Sequence, residues 1–260
     1  MSLVETEISA FLIEKHDLYN RPEFIVNDPI SVPHTFSIKE DVEIIGFLVA
    51  TIAWGQRKTI INNGKKLAKA MGNNPYEFVM DYPNNEDSKD RIRAFKHRTF
   101  NGIDCDYFLN SLNNIYLKYN GLHGLFKKLV YECNGDIGKT ISGFKQVFFE
   151  LDHPLRVRKH VSDPMAGSAA KRLNMFLRWM VRNDNRGVDF GIWNDIDPKV
   201  LMMPLDVHTG TVGRKLGLLN RNQNDWKAVA ELTNKLRGFD PYDPVKFDFA
   251  LFGLGIEEKF

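Results

Sequence analysis

The chain has 260 residues, with 35 Lys and Arg against 33 Asp and Glu, so its formal net charge is only +2. That balance excludes a polycationic tail protein, and 43% hydrophobic with 26% charged residues is ordinary globular composition. Two cysteines, Cys105 and Cys133, exclude a disulfide framework and a four-thiolate metal site, so a reducing, cytoplasmic setting is expected.

The first twenty residues carry acids where a secretory leader needs a basic region. The apolar spacing of Leu3, Ile8, Phe11 and Leu12 predicts a helix over 3–19. Pro22, Pro29 and Pro33 predict a loop over 21–38. Residues 39–54 open with Glu40, Asp41 and Glu43 and turn apolar nearly all round, which predicts a buried helix. The apolar run Ile44–Trp54 is about half the roughly 20 residues of a bilayer span, so no membrane partner is expected.

An amphipathic helix follows over 59–71, ended by Gly72 and Pro75, and then a polar loop over 83–89. Further helices are predicted over 105–119, 121–133, 139–149, 171–182, 209–216, 225–236 and 245–254, with no sustained strand alternation. The expected fold class is all-α, a single two-lobed helical domain over 1–260. Its first lobe spans about 40–150, a hairpin-containing lobe about 151–220, and closing helices 221–260.

Two segments could carry chemistry. Residues 165–171, MAGSAAK, place small side chains before a strongly periodic helix. Backbone N–H groups left open there, with the helix dipole, would form an anion site. The plain alternative is a tight turn followed by an exposed Lys171. In residues 203–218, MPLDVHTGTVGRKLGL, Asp206 stands where a helix N-cap belongs and His208 follows. No second ligand stands at metal spacing, so no metal is expected. Between Arg156 and Arg186 lie eight basic residues and only Asp163 and Asp184 as acids, a net of +6 that leaves −4 for the remainder. Such a concentration beside an anion-type turn favours a phosphate-rich partner.

Together these segments resemble the helix-hairpin-helix DNA glycosylase superfamily. Its hairpin, approximately L-P-G-V-G-x-K, aligns with Met165–Lys171 without a gap, with Gly167 and Ala169 at the glycine positions and Lys171 at the lysine. Its motif V-D-T-H-V-x-R-V-x-x-R-L-G-L aligns with Leu205–Leu218 and matches at Asp206, His208, Val212, Leu216, Gly217 and Leu218. Weaker echoes are Phe47–Thr59, with Ala50 and Gln56 in register, and Ala250–Gly255. The whole chain also resembles an uncharacterised bacterial family labelled as a domain of unknown function (DUF2400), through the blocks KRLNMFLRWMVR and PLDVHTG. Departures are Ala166 for proline, Ala169 for the second glycine, Thr211 for an arginine, and a long 186–203 connector.

The glycosylase resemblance implies base-excision repair by an N-glycosylase with abasic-site lyase activity on damaged double-stranded DNA, oxidised purines among the candidate lesions. Lys171 would attack C1′ of the deoxyribose, which requires a neutral amine, and Asp206 would stabilise the cationic sugar and assist proton transfers. Gly167, Ser168, Ala169, Ala170, Arg172, His208 and Gln56 would contact DNA. Trp54, Trp179 and Trp193 could stack on a base, although core packing suits each. No cysteine follows Cys133, so no iron–sulfur cluster is expected, nor is any other cofactor or an obligate protein partner. The alternatives are a helix-hairpin-helix protein that grips DNA without chemistry, and a helical protein that has lost the activity.

Overall fold

The computed structural model describes residues 3–260. The fold is all-α, with one small ladder. In chain order the helices are α1 (Leu3–Tyr19), α2 (Pro22–Val26), α3 (Lys39–Thr51), α4 (Arg57–Ala70), α5 (Pro75–Asp81) and α6 (Glu86–Arg93). Strands β1 (Lys96–His97) and β2 (Phe100–Asn101) then pair antiparallel, Lys96 opposite Asn101 and His97 opposite Phe100. The chain continues with α7 (Gly102–Tyr119), α8 (Gly121–Glu132), α9 (Ile137–Phe148), α10 (Lys171–Val181), α11 (Val207–Lys215), α12 (Trp226–Arg237) and α13 (Phe247–Ile256).

The expected loops at 21–38 and 83–89 are more ordered than their composition suggests. The first holds α2 and 3-10 turns at Pro29–Ser31 and Pro33–Thr35, and the second lies within the 3-10 turn Tyr82–Asn84 and the start of α6. Pro22, Pro29, Pro33 and Pro75 each open one of these elements. Proline has no N–H to lose in a first turn and its φ is already helical, so here it starts helices rather than excluding them. The start of α6 is fixed by Asn85, whose side chain accepts from the Ser88 N–H at 3.0 Å.

The chain folds as two compact units. One comprises the chain up to Phe24 with Asp136–Lys139 and Asp163–Phe260; the other comprises Ile25–Gly135 and Thr140–Ser162. The second is built around α3, buried from Asp41 to Thr51. Phe47 meets Phe108, Phe144 and Phe148 at ring separations of 5.9, 5.6 and 5.5 Å. The Tyr116 hydroxyl donates to buried Glu43 at 2.9 Å, and burial together with that carboxylate pushes the phenol well above its usual range. A reciprocal cap between Asn101 and Asp104 starts α7.

In the first unit α1 packs along α13. Of its apolar positions Leu12 is fully buried, while the Leu3 side chain lies outside the described ones. A Cβ at Gly253 would fall 2.3 Å from the Tyr19 ring, so only glycine permits this approach. Helix α10 buries Leu173 to Val181, with Phe176 edge-on to Trp193 at 5.4 Å. No described helix is long and apolar enough to cross a membrane.

Candidate active site

Lys171 opens α10 and is half-buried. Its Nζ donates to the Met175 sulfur, one turn on, at 3.3 Å. The turn before it is preceded by a 3-10 turn, Pro164–Ala166, rather than an α-helix. Asp163 caps that turn, its side chain accepting from the Met165 N–H. Gly167 then takes φ +89° and Ala170 φ +46°. The left-handed alanine is thus Ala170 and not Ala169, which occupies the glycine position in the sequence alignment.

Three of the four N–H groups expected to be open over 167–170 are used within the turn itself. Gly167 N–H donates to the Pro164 carbonyl at 2.9 Å, Ser168 N–H to the Asp163 carbonyl at 3.1 Å, and Ala170 N–H to the Ser168 hydroxyl at 3.2 Å. The Trp226 N–H donates to the Gly167 carbonyl and Ser168 bridges Asp225, which straps the turn to the start of α12. The Asn174 amide donates to the Ala169 carbonyl at 3.1 Å.

Asp206 is half-buried at the N-cap of α11, and its Oδ1 accepts from the Thr209 N–H at 3.0 Å. The Asn224 amide donates to the Asp206 carbonyl at 3.0 Å. What joins the lysine and the aspartate is a third residue, Asp248 of α13, on which both act electrostatically. Burial first, then the Asp206 charge, pushes the Asp248 carboxyl up to about 6, against the pull of Arg178 and Lys171. A carboxyl poised there changes charge near neutral pH, which is the behaviour a proton-transfer group needs.

Asp248 is the partner of Arg178 Nη1, and Arg178 Nε donates to Asp189 Oδ1 at 3.2 Å. One turn on, Arg182 reaches Asp189, Asp243 and Asp184 at 3.1, 2.8 and 2.7 Å. Both guanidiniums are buried against the Phe249 ring. Farther along, Arg186 pairs with Asp17 at 2.5 Å, and in the second unit Arg156 pairs with Asp104 at 3.0 Å. Four of the eight basic residues of 156–186 (Arg156, Arg178, Arg182 and Arg186) are therefore paired with carboxylates, most of them from elsewhere in the chain, which offsets part of the stretch's local charge. Arg172 is itself half-buried, and burial pulls its guanidinium down to about 10.

His208 is exposed on α11, its Cβ 3.0 Å from where a Cβ on Gly255 of α13 would stand. Trp179 and Trp193 are fully buried core residues. Gln56 and Trp54 belong to the second unit: Gln56 is exposed at the N-cap of α4, and Trp54 packs on His97 and His160 at 5.0 and 6.1 Å. Among the described residues no group of three His, Cys, Asp or Glu side chains is placed to hold a metal ion. Asp248, Asp189 and Asp243 escaped sequence reasoning, since nothing in their local pattern marks them.

Over residues 28–257 the chain matches the family described as a protein of unknown function (DUF2400), and it belongs to that family. No curated protein and no solved structure matches it. Membership of the helix-hairpin-helix glycosylase superfamily is overturned: the family shown is one of unknown function. The motif residues behind that resemblance also have local work to do. Gly167 takes a left-handed turn, Asp206 caps a helix, and Gly217 takes φ +69° just past the end of α11. Turn and cap chemistry of this kind recurs on unrelated folds.

Proposed function

We propose that the chain is a DNA-repair enzyme that removes a damaged base and cuts at the resulting abasic sugar. In this reading the Lys171 amine bonds to C1′ as the base leaves with the glycosidic electron pair. The sugar ring opens as a proton passes from the amine to the ring oxygen, giving a Schiff base; a C2′ proton is then removed by a base and the 3′ phosphate leaves with its C–O electron pair. Asp206 faces the cationic sugar, and Asp248 is the buried group against which lysine and aspartate charge is balanced. The observation that carries the reading is that α10, opened by Lys171, is tied to α13 by the Arg178–Asp248 pair, while α11, capped by Asp206, packs on the same α13. With the N–H groups of Gly167, Ser168 and Ala170 used internally, the contacts to DNA are side chains around this hairpin-like turn. They are the Ser168 hydroxyl, Arg172 and His208.

The test is borohydride trapping on duplexes carrying an abasic site or an oxidised purine. A covalent adduct forms with the wild type and is lost in Lys171→Gln. An adduct that persists in Lys171→Gln, or no adduct on any lesion, overturns the reading. A second reading, a DNA-binding chain without chemistry, draws on Asp206 serving as a helix cap and Lys171 donating to Met175. It expects duplex binding that Asp206→Asn leaves unchanged, with no turnover.

A further inference from the structure

Helix α4 carries Arg57, Lys58, Lys65, Lys66 and Lys69, and no acid occurs anywhere from Ile44 to Asn74. Its buried side is Ile60, Gly64, Leu67 and Ala68, packed against α3, while Lys58, Lys65, Lys66 and Lys69 are exposed. At 3.6 residues per turn, Lys58, Lys65 and Lys69 lie within about 20° of a single line along the helix, with Lys66 about 80° round from it. The row is about 16 Å long at 1.5 Å per residue. Beside it packs β1, whose strand and turn supply exposed Lys96 and Arg98 in a second acid-free stretch, Arg91–Ile103. Among the described residues none of these four lysines, nor Lys96 or Arg98, is within ion-pair distance of a carboxylate. This contrasts with Arg156, Arg178, Arg182 and Arg186 of the 156–186 stretch, each of which is paired with a carboxylate.

A row of like charges with no counter-charge repels itself and is mildly costly to hold on one helix face. A polyanion removes that cost. We propose that this face of α4, with the β1–β2 turn, is a docking surface for the phosphodiester backbone of double-stranded DNA. Duplex DNA presents one negative charge per about 1.7 Å of axis, so the row runs beside about ten phosphates. Gln56, exposed at the N-cap of the same helix, stands at one end of it. An anionic membrane is the weaker partner, because the apolar residues of α4 face inward and leave no wedge for the acyl region. The inference rests on the reading of a DNA-acting chain only for the choice of duplex. Binding and trapping are separate measurements, so either can fail while the other succeeds.

The experiment is fluorescence anisotropy of the full chain with an undamaged duplex across a salt series. Three proteins are compared: wild type, Lys58→Gln/Lys65→Gln/Lys69→Gln, and the control Lys159→Gln/Lys227→Gln/Lys259→Gln, which removes the same charge from exposed positions elsewhere. The wild type binds with a steep salt dependence. The α4 variant loses tenfold or more in affinity at low salt, and its slope of log K against log salt is shallower by about 2.7, at about 0.9 per phosphate contact. The control stays within threefold of wild type. Equal losses in both variants, unchanged binding by the α4 variant, binding only to phosphatidylserine vesicles, or binding only to RNA each overturn the proposal.

Discussion

Arg182 Nη1 donates to Asp189 Oδ2 at 3.1 Å, and both side chains are closed off from solvent. The other Asp189 oxygen accepts from Arg178, so one carboxylate holds two guanidiniums one helical turn apart. Removing it leaves two buried cations short of counter-charge, the situation that costs most in a protein interior. Asp189→Ala is expected to destabilise the fold by about 3–5 kcal/mol, and Asp189→Asn by a comparable amount, because a neutral amide keeps the shape and not the charge. Urea unfolding measures it; a shift under about 1 kcal/mol would show that Asp184, Asp243 and Asp248 suffice.

His16 and Asp248 border the same network and titrate with opposite consequences. Burial, then the charges of Arg182 and Arg186, holds the His16 imidazole down to about 4. The unfolded chain takes a proton near 6.5 that the folded chain refuses, so this contribution is whole above 6.5 and is lost as pH falls toward 4. Asp248 runs the other way: its folded carboxyl, raised to about 6, takes up a proton before the unfolded one does, and stabilises the fold as pH drops from 6 to 4. The stability gap between wild type and His16→Gln should narrow by about 2 kcal/mol from pH 7.5 to 4.5. The gap for Asp248→Asn should move in the opposite sense. Parallel pH profiles for all three proteins would refute both assignments.

Two glycines separate conformational cost from steric cost. A Cβ at Gly167 would meet nothing within 4 Å, but φ is +89°. Gly167→Ala should therefore cost about 1 kcal/mol through backbone strain alone. At Gly253 the backbone is ordinary helix and the obstacle is the Tyr19 ring, so Gly253→Ala should cost about 1–3 kcal/mol. In a Tyr19→Ala background that second cost should vanish, while the first stays whole, because the Gly167 effect has no neighbour to remove. Thermal unfolding of the two double-mutant cycles reads the difference.

The contrast between what the chain announces and what it conceals follows from range. The α1 and α10 helices are legible because their apolar spacing is local, and Asp206 is legible as a cap because the hydrogen bond spans three residues. Prolines 22, 29 and 33 mislead because the same residue both breaks an interior and opens a first turn. The charge of 156–186 misleads more deeply. Its counter-ions are Asp17, Asp104, Asp189, Asp243 and Asp248, which lie outside the stretch and are brought to it only by folding. Asp248 could not be found for the same reason: it belongs to the site through α13, and its own surroundings in sequence, FDFALF, read as plain core. The α4 row is local and legible in the sequence, although a whole-chain charge of +2 averages it away.

Asp206 is asked to do two things, and two substitutions separate them. Its side chain caps α11, so Asp206→Ala should destabilise the fold by about 1 kcal/mol. Asparagine offers the same acceptor oxygen and should hold the cap to within a few tenths of a kcal/mol. What asparagine lacks is the negative charge that Asp248 feels and that the proposed reaction places beside a cationic sugar. If Asp206 acts only as a cap, adduct formation by Asp206→Asn matches wild type and Asp206→Ala loses it only in proportion to unfolded protein. If the charge takes part, both variants lose trapping by about 10²-fold or more while only the alanine loses stability. Unfolding midpoints and single-turnover trapping rates on the same two variants decide between these outcomes, since the cap is read by one and the charge by the other.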